Sequence, residues 1–455
     1  MNFGKFLYGA AYYYEYLPYE RLEKDIKMMK AAHINLVRIG ESTWSTYEPQ
    51  EGIFDFNKLI KVIKSMNKAN IKVIVGTPTY AIPTWMSKKY PEVMLTDQTG
   101  KRKYGARQLI DITNPTFLFF AERIIKKIIT ITSVFDNVIG YQADNETKHF
   151  NTSSSNIYIA FQKYLKEKYN GNIEQLNYDY GLDYWSNRIN SWEDFPPINS
   201  TINGSLGASF EKFQRNLVTN YLKWQTNIIK DYKKDNQFIT SNFDFDWRHN
   251  SYGLNPYANH FKISKNFDIV AVDIYHPSQD NLDGVEISLF GDIARSIKNN
   301  NYIVMETQSQ GFKEWVPYPG QLRLQAYSHI ASGASVISYW PWASIHNGYE
   351  TYWKGLLGHD FQKNPIYDES VKIGSELNNY GNLFLETKKN NKVAIIVSNQ
   401  SLTAIDWFPY RKINDSLKKH GDHQYNDVLR SYYDSLYRLN IEVDILPIDD
   451  KRIFN

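Results

Sequence analysis

Cysteine is absent from all 455 residues, which excludes disulfides, thiolate metal sites and cysteine nucleophiles together. Long apolar runs are also missing. None reaches the ~20 residues a helix needs to span a bilayer, and Met1-Asn2-Phe3-Gly4-Lys5-Phe6-Leu7 leads straight into a strand-like segment without a signal-type apolar stretch. The expectation is a soluble, cytoplasmic protein with no membrane partner. Surplus charge is lacking too: 52 Lys+Arg face 49 Asp+Glu, a net +3, and basic residues gather only in short runs such as Lys101-Arg102-Lys103. Gripping a phosphate backbone takes a dense basic surface, so no nucleic-acid partner is expected. No Gly-rich phosphate loop follows any apolar run and no His-Glu-x-x-His occurs, so no cofactor and no metal are expected. What the chain does have is aromatics, 15% of residues with 11 Trp and 35 Tyr. Their flat apolar faces and polar edges suit sugar rings as well as ordinary cores.

The length exceeds what one hydrophobic core usually fills, so a large domain with an appendage, or two to three domains, is expected. Eight short apolar runs alternate with helical patterns: Leu7 to Ala11, Leu36 to Gly40, Lys72 to Thr77, Val138 to Gln142, Phe238 to Asn242, Ile269 to Asp273, Tyr302 to Glu306 and Val336 to Trp340. An amphipathic helix starting near Pro18 carries Leu22, Ile26, Met29 and His33, and a second keeps Phe210, Phe213, Leu217, Tyr221, Trp224 and Ile228 on one stripe before the polar stretch 230–234. The fold class this predicts is α/β: a (β/α)8 TIM barrel over residues 1–385, with a long helical and loop insertion after strand four. From Lys392-Val393-Ala394-Ile395-Ile396-Val397 the pattern restarts. A helix around Asp427 to Leu439 and the run Ile441 to Leu446 follow, so 386–455 reads as part of a second α/β domain.

Strand C-termini face the active site of such a barrel. Glu146 lies just past strand four and Glu306 ends strand seven, a placement that lets one carboxylate attack an anomeric carbon while the other protonates the leaving oxygen. The acid must be held protonated, and the nucleophile must stay ionised beside donors. Arg107, after strand three, is the expected donor to the nucleophile, and the Asn145 amide beside the acid suits a sugar 2-hydroxyl. Tyr275 either bonds the nucleophile or, with Asp273, merely caps the barrel end. Trp340 and Trp342 read equally as a sugar floor or as core. His276, His346 and His359 lack metal-ligand spacing and read as loop or supporting residues. Asp244, Asp246 and Trp247 lack a loop glycine and a closing Glu, and are expected to form a solvated acidic loop.

Several segments carry a family resemblance: residues 28–37, Trp44 with Glu48-Pro49-Gln50-Glu51-Gly52, Ile82-Pro83-Thr84-Trp85, Tyr104-Gly105-Ala106-Arg107, Tyr141-Gln142-Ala143-Asp144-Asn145-Glu146 and Gly355-Leu356-Leu357-Gly358-His359-Asp360. Together they resemble glycoside hydrolase family 42, β-galactosidases that carry the acid/base after strand four and the nucleophile after strand seven. The resemblance implies Glu146 as acid/base and Glu306 as nucleophile, with Arg107, Asn145, Tyr275, Trp315 and Glu350 contacting sugar. It implies a retaining β-galactosidase acting on terminal β-D-galactosides of small oligosaccharides or plant-derived glycosides. Three features depart from the family. Trp353 stands where members commonly have a galactose-binding histidine, which keeps β-glucosides, β-fucosides, α-L-arabinosides, or an inactive sugar-binding remnant as alternatives. The cysteine cluster that binds zinc in some members is missing, so no structural metal is implied. Members form homotrimers through a complete second domain, whereas this chain carries part of one, so weak solubility or activity of the chain alone is expected.

Overall fold

The computed structural model describes residues 3–454 apart from 98–99, 102–103, 106, 199–200, 248–251, 311–315 and 411–423. Eight parallel strand positions close into a barrel: β1 (Leu7–Ala11), β2 (Leu36–Ile39), β3 (Lys72–Gly76), β4 (Val138–Gln142), β5, β6 (Ala271–Asp273), β7 (Tyr302–Glu306) and β8 (Ala334–Tyr339). The run predicted as strand five is two pieces, Phe238–Thr240 and Asn242–Asp244, interrupted at Ser241. The first piece pairs with β4 and the second with β6, so this break is where the sheet meets itself. β1 joins the ring to β2 on one side and β8 on the other.

Period-two alternation decides which side chains fill the barrel. Leu7, Leu36, Ile74, Ile303, Met305 and Val336 form an inner cluster, and their neighbours Tyr8, Val37, Val73, Val75, Val304 and Ile337 point outward into the larger core beneath the helices. That outer core is closed by α1 (Leu22–Ala31), α2 (Asn57–Lys68), α3 (Pro115–Thr132) and, after the excursion helices α4 (Ser155–Lys168) and α5 (Ile173–Tyr180), which lie outside it, by α6 (Gly204–Tyr232), α7 (Val285–Lys298), α8 (Gln321–Ala331) and α9 (Pro365–Tyr380). α3 illustrates the local logic. Asn114 accepts from the Phe117 amide at 3.0 Å, Pro115 occupies the first turn, and Phe117, Phe120, Ile124, Ile128 and Thr132 bury one stripe. α1 begins at Leu22 rather than near Pro18, because the Glu20 carboxylate accepts from the Leu22 amide and sets the first turn there.

The insertion after β4 has a small core of its own, built from Ile157, Phe161, Leu176, Leu182, Trp192 and Phe210. Beyond the barrel, β9 (Val393–Val397) pairs in parallel with β10 (Val443–Pro447), accompanied by α10 (Asn399–Trp407) and α11 (Gln424–Arg438). These elements dock on the barrel's flank. The Trp407 indole donates to Glu211 of α6 at 2.9 Å, and the Tyr433 hydroxyl donates to Asp292 of α7 at 2.7 Å. Among the described residues no helix is long and apolar enough to cross a membrane.

Candidate active site

Glu306 ends β7 and Glu146 follows β4 by four residues; both are buried. Carboxylate oxygens of Glu146, Glu306 and Asp273, the last residue of β6, all lie within 4.8 Å of one another. Such a trio is also close enough to share a cation, yet two of its members already face guanidinium groups: Arg38 on Glu306 at 2.5 Å and Arg107 on Glu146 at 3.2 Å.

Placing Glu146 there requires a backbone that L-residues seldom adopt. Asp144 and Glu146 have φ of 54° and 43°, in the left-handed region, which costs about 1–3 kcal/mol per residue. A dense set of bonds holds the segment. Thr77 Oγ1 accepts from the Asp144 amide (2.7 Å), Gln142 Nε2 donates to the Asp144 carbonyl (2.8 Å), and Asn242 Oδ1 accepts from the Glu146 amide (3.1 Å). The Asp144 carboxylate accepts from the hydroxyls of Thr79 and Thr147, each at 2.5 Å. Asn242 Nδ2 donates to Asn145 Oδ1 (2.8 Å), which fixes that amide and leaves its own Nδ2 as a donor in the pocket.

Around Glu306 the supports are different. Tyr275 donates its hydroxyl to Oε2 at 2.7 Å, and Arg38 binds Oε1. Arg38 also binds Glu41 (2.9 Å), Gln142 Oε1 (3.2 Å) and the Tyr13 hydroxyl (3.2 Å). Glu41 can pack this close because Gly76 ends β3: a Cβ on Gly76 would lie 2.4 Å from the Glu41 Cβ. Burial pushes the Glu306 carboxyl up and the charge of Glu146 adds to this, while Arg38 and the Tyr275 hydroxyl pull it back. Burial, followed by the charges of Glu306 and Glu146, holds Asp273 well above the usual aspartate range. One Asp273 oxygen accepts from Asn242 Nδ2 (2.6 Å), and the other is buried without a hydrogen-bond partner. The Tyr275 phenol is likewise raised by burial and by Glu306, so it stays a donor.

The pocket over these groups is lined by Arg107, Asn145, Glu146, Tyr275, Glu306, Glu350 and Trp353, together with Tyr80, Trp247 and Trp340. Seven of the eight site residues expected from the sequence therefore meet in one place; Trp315 lies outside the described residues. Two expectations need correction. Arg107 serves Glu146 rather than Glu306: the chain after β3 folds back over the end of β4, where the Gln108 side chain donates to the Asn145 carbonyl at 2.8 Å. The donor to Glu306 is Arg38, which the sequence reading passed over. It stands two residues after inward-facing Leu36, and that alternation is the signal that could have found it. Asp244, Asp246 and Trp247 are not a solvated loop. Asp244 is buried against Lys148, Asp246 is buried, and Trp247 packs on Tyr275 at 4.9 Å. Of the remaining aromatics, Trp340 joins the pocket and Trp342 is wholly core. His276 is buried and accepts Gln325 as a neighbour at 2.8 Å, whereas His346 and His359 sit on exposed loops.

With this geometry in place, comparison with known proteins is direct. The family model of glycoside hydrolase family 42, described as β-galactosidase, matches residues 11–380. A β-galactosidase of Lactobacillus acidophilus is 28% identical across 98% of this chain and 67% of its own length, and one of Geobacillus kaustophilus is 28% identical across 97% and 65%. The β-galactosidase structure from Bacillus circulans sp. alkalophilus has a TM-score of 0.87 at 25% identity, covering 98% of this chain and 65% of that one. A family 42 β-galactosidase from G. stearothermophilus reaches 0.89 at 21% identity, covering 97% and 65%, a likeness of fold. The chain spans about two thirds of the length of the relatives it matches.

Proposed function

The chain belongs to the glycoside hydrolase family 42 β-galactosidases, and from that premise we propose that it hydrolyses terminal non-reducing β-D-galactosyl residues with retention of configuration. The observation that carries the mechanism is the spacing of Glu146 and Glu306, whose carboxylate oxygens approach within 4.8 Å. Retaining enzymes hold their carboxyl groups about 5 to 5.5 Å apart, whereas inverting enzymes keep a wider gap for water.

In the first step Glu306 attacks the anomeric carbon as Glu146 gives its proton to the glycosidic oxygen. The C1–O bond breaks, the aglycone leaves as an alcohol, and a galactosyl ester forms on Glu306. In the second step Glu146, now a carboxylate, takes a proton from water as that water attacks C1, and the ester bond breaks to restore Glu306. Arg38 and Tyr275 keep the attacking carboxylate oriented and favour its ionised form. Arg107, facing Glu146, stabilises the charge that appears there once its proton has gone. The Asn145 amide suits the 2-hydroxyl, while Glu350 and Trp353 form the wall that would meet the rest of the galactose ring.

The test is the anomer first released from an aryl β-D-galactoside, followed by NMR, together with two variants. β-Galactose is expected first, Glu306→Gln is expected to abolish formation of the ester, and Glu146→Ala is expected to keep slow turnover of substrates with good leaving groups and to recover with azide. Release of α-galactose first, or normal hydrolysis of an unactivated galactoside by Glu146→Ala, would overturn the assignment.

A further inference from the structure

The turn that carries Glu146 is held from behind by a residue of α6. Gln225 belongs to the buried stripe of that helix, and its side chain reaches Thr77 and Thr79, which follow β3. Thr77 Oγ1 donates to Gln225 Oε1 at 2.8 Å, and Gln225 Nε2 donates to Thr79 Oγ1 at 2.9 Å. Each hydroxyl makes its second bond to Asp144. Thr77 Oγ1 accepts from the Asp144 amide at 2.7 Å, and Thr79 Oγ1 donates to Asp144 Oδ1 at 2.5 Å. Gln225, Thr77 and Thr79 are wholly buried, so water does not substitute for any of these partners.

Asp144 needs hydroxyls pointing opposite ways. Its amide can only donate, so Thr77 must offer a lone pair there and turn its hydrogen elsewhere; its carboxylate accepts, so Thr79 must give up its hydrogen and accept another. A primary amide supplies both needs at once, an acceptor for Thr77 and a donor for Thr79. A carboxylate at position 225 would serve Thr77 alone, and an apolar side chain neither. The consequence falls on the backbone, because Asp144 and Glu146 hold φ of 54° and 43°. Such conformations cost about 1–3 kcal/mol per residue and persist only where the surroundings impose them. Asn242 and Arg107 hold Glu146 itself, whereas the threonine pair holds the turn two residues earlier.

We propose that Gln225 is a positioning residue for the acid/base: by fixing the directions of the Thr77 and Thr79 hydroxyls it holds Asp144, and with it the turn that aims Glu146 at the glycosidic oxygen. Gln225 does not line the pocket. Its loss relaxes the turn and shifts the proton donor, while Glu306 keeps Arg38 and Tyr275. The proposal rests on the reading of Glu146 as acid/base.

The test uses Gln225→Met, which keeps the bulk and removes both bonds, with Thr79→Val and Thr79→Ser as a second pair, and thermal melts of each. Two substrates separate the acid's role from the rest: phenyl β-D-galactoside, whose leaving group needs the proton, and 2,4-dinitrophenyl β-D-galactoside, whose leaving group departs without it. Gln225→Met is expected to lower kcat/KM for the phenyl galactoside about 10- to 100-fold, the range for a catalytic group displaced by roughly 1 Å, and to leave the dinitrophenyl galactoside within about threefold. Glu146 also activates water in the second step, so kcat for the dinitrophenyl galactoside falls, and azide, which needs no base, restores it. Thr79→Val is expected to show the same selective loss and Thr79→Ser a smaller one. The double variant Gln225→Met/Thr79→Val is expected to lose little more than either single one, since both act through one chain of bonds. Equal losses on the two galactosides, no loss on the phenyl galactoside, or a kcat that azide does not restore would overturn the proposal, whatever the melts show. If Glu146→Ala itself lacked the selective loss, the acid/base reading would fall, and the role of Gln225 with it.

Discussion

Replacing Tyr275 by phenylalanine removes one hydroxyl and little else. The ring is held between Trp247 and Trp353, at centroid distances of 4.9 and 5.5 Å, and the phenylalanine ring keeps both contacts, so the fold is expected to survive. What is lost is the 2.7 Å hydrogen bond to Glu306 Oε2. A hydrogen bond to a charged group contributes about 1.5–3 kcal/mol, which at 1.4 kcal/mol per decade corresponds to a fall in kcat/KM of roughly 10- to 150-fold. The sign of the pH effect follows from which form Tyr275 favours. Its hydroxyl donates to the ionised carboxylate, so removing it pushes Glu306 further upward than burial already does. The nucleophile must be ionised to attack, so the acidic limb of the kcat/KM profile moves to higher pH. The alkaline limb, which reports loss of the acid's proton, moves less. Once the sugar is esterified to Glu306 that charge is gone, and kcat falls less than kcat/KM wherever hydrolysis of the ester limits turnover. The assay is kcat/KM for an aryl galactoside from pH 4 to 8, with thermal melts at each pH. An unmoved acidic limb together with a loss under about twofold would refute the reasoning.

Two further outcomes follow from buried groups. Asp273→Asn keeps an acceptor for Asn242 and matches the neutral acid that burial and the two glutamates impose, so kcat/KM is expected to stay within about threefold with an unchanged acidic limb; a hundredfold loss would mean that Asp273 works as an anion. His260 stacks on Phe243 at 4.7 Å, and burial pushes it down to about 3. Below about pH 6.5 the unfolded chain binds a proton that the native ring refuses, so this histidine makes stability rise with pH between its two pKa values, by up to about 1.4 kcal/mol per unit. His260→Phe removes that dependence, and its melting temperature relative to wild type should climb as pH falls from 6.5 towards 5; parallel curves would contradict the assignment.

The amino-acid sequence by itself determined the order of the barrel elements and singled out the two glutamates proposed as the catalytic pair. Strand and helix periods are local, so all eight barrel runs were legible, and Glu146 and Glu306 could be found because their chemistry depends on where a strand stops. The interruption at Ser241 was not legible, because it answers to two different neighbours, β4 and β6. Only the tertiary structure decided who stands beside whom. Arg38 meets Glu306 across 268 residues and Arg107 turns to Glu146 instead, pairings that no local spacing encodes. The burial of Asp246 and Trp247 and the approach of Asp273 to both glutamates belong to the same class. Proton affinities in this site follow from those approaches, since desolvation and charge act through space rather than along the chain.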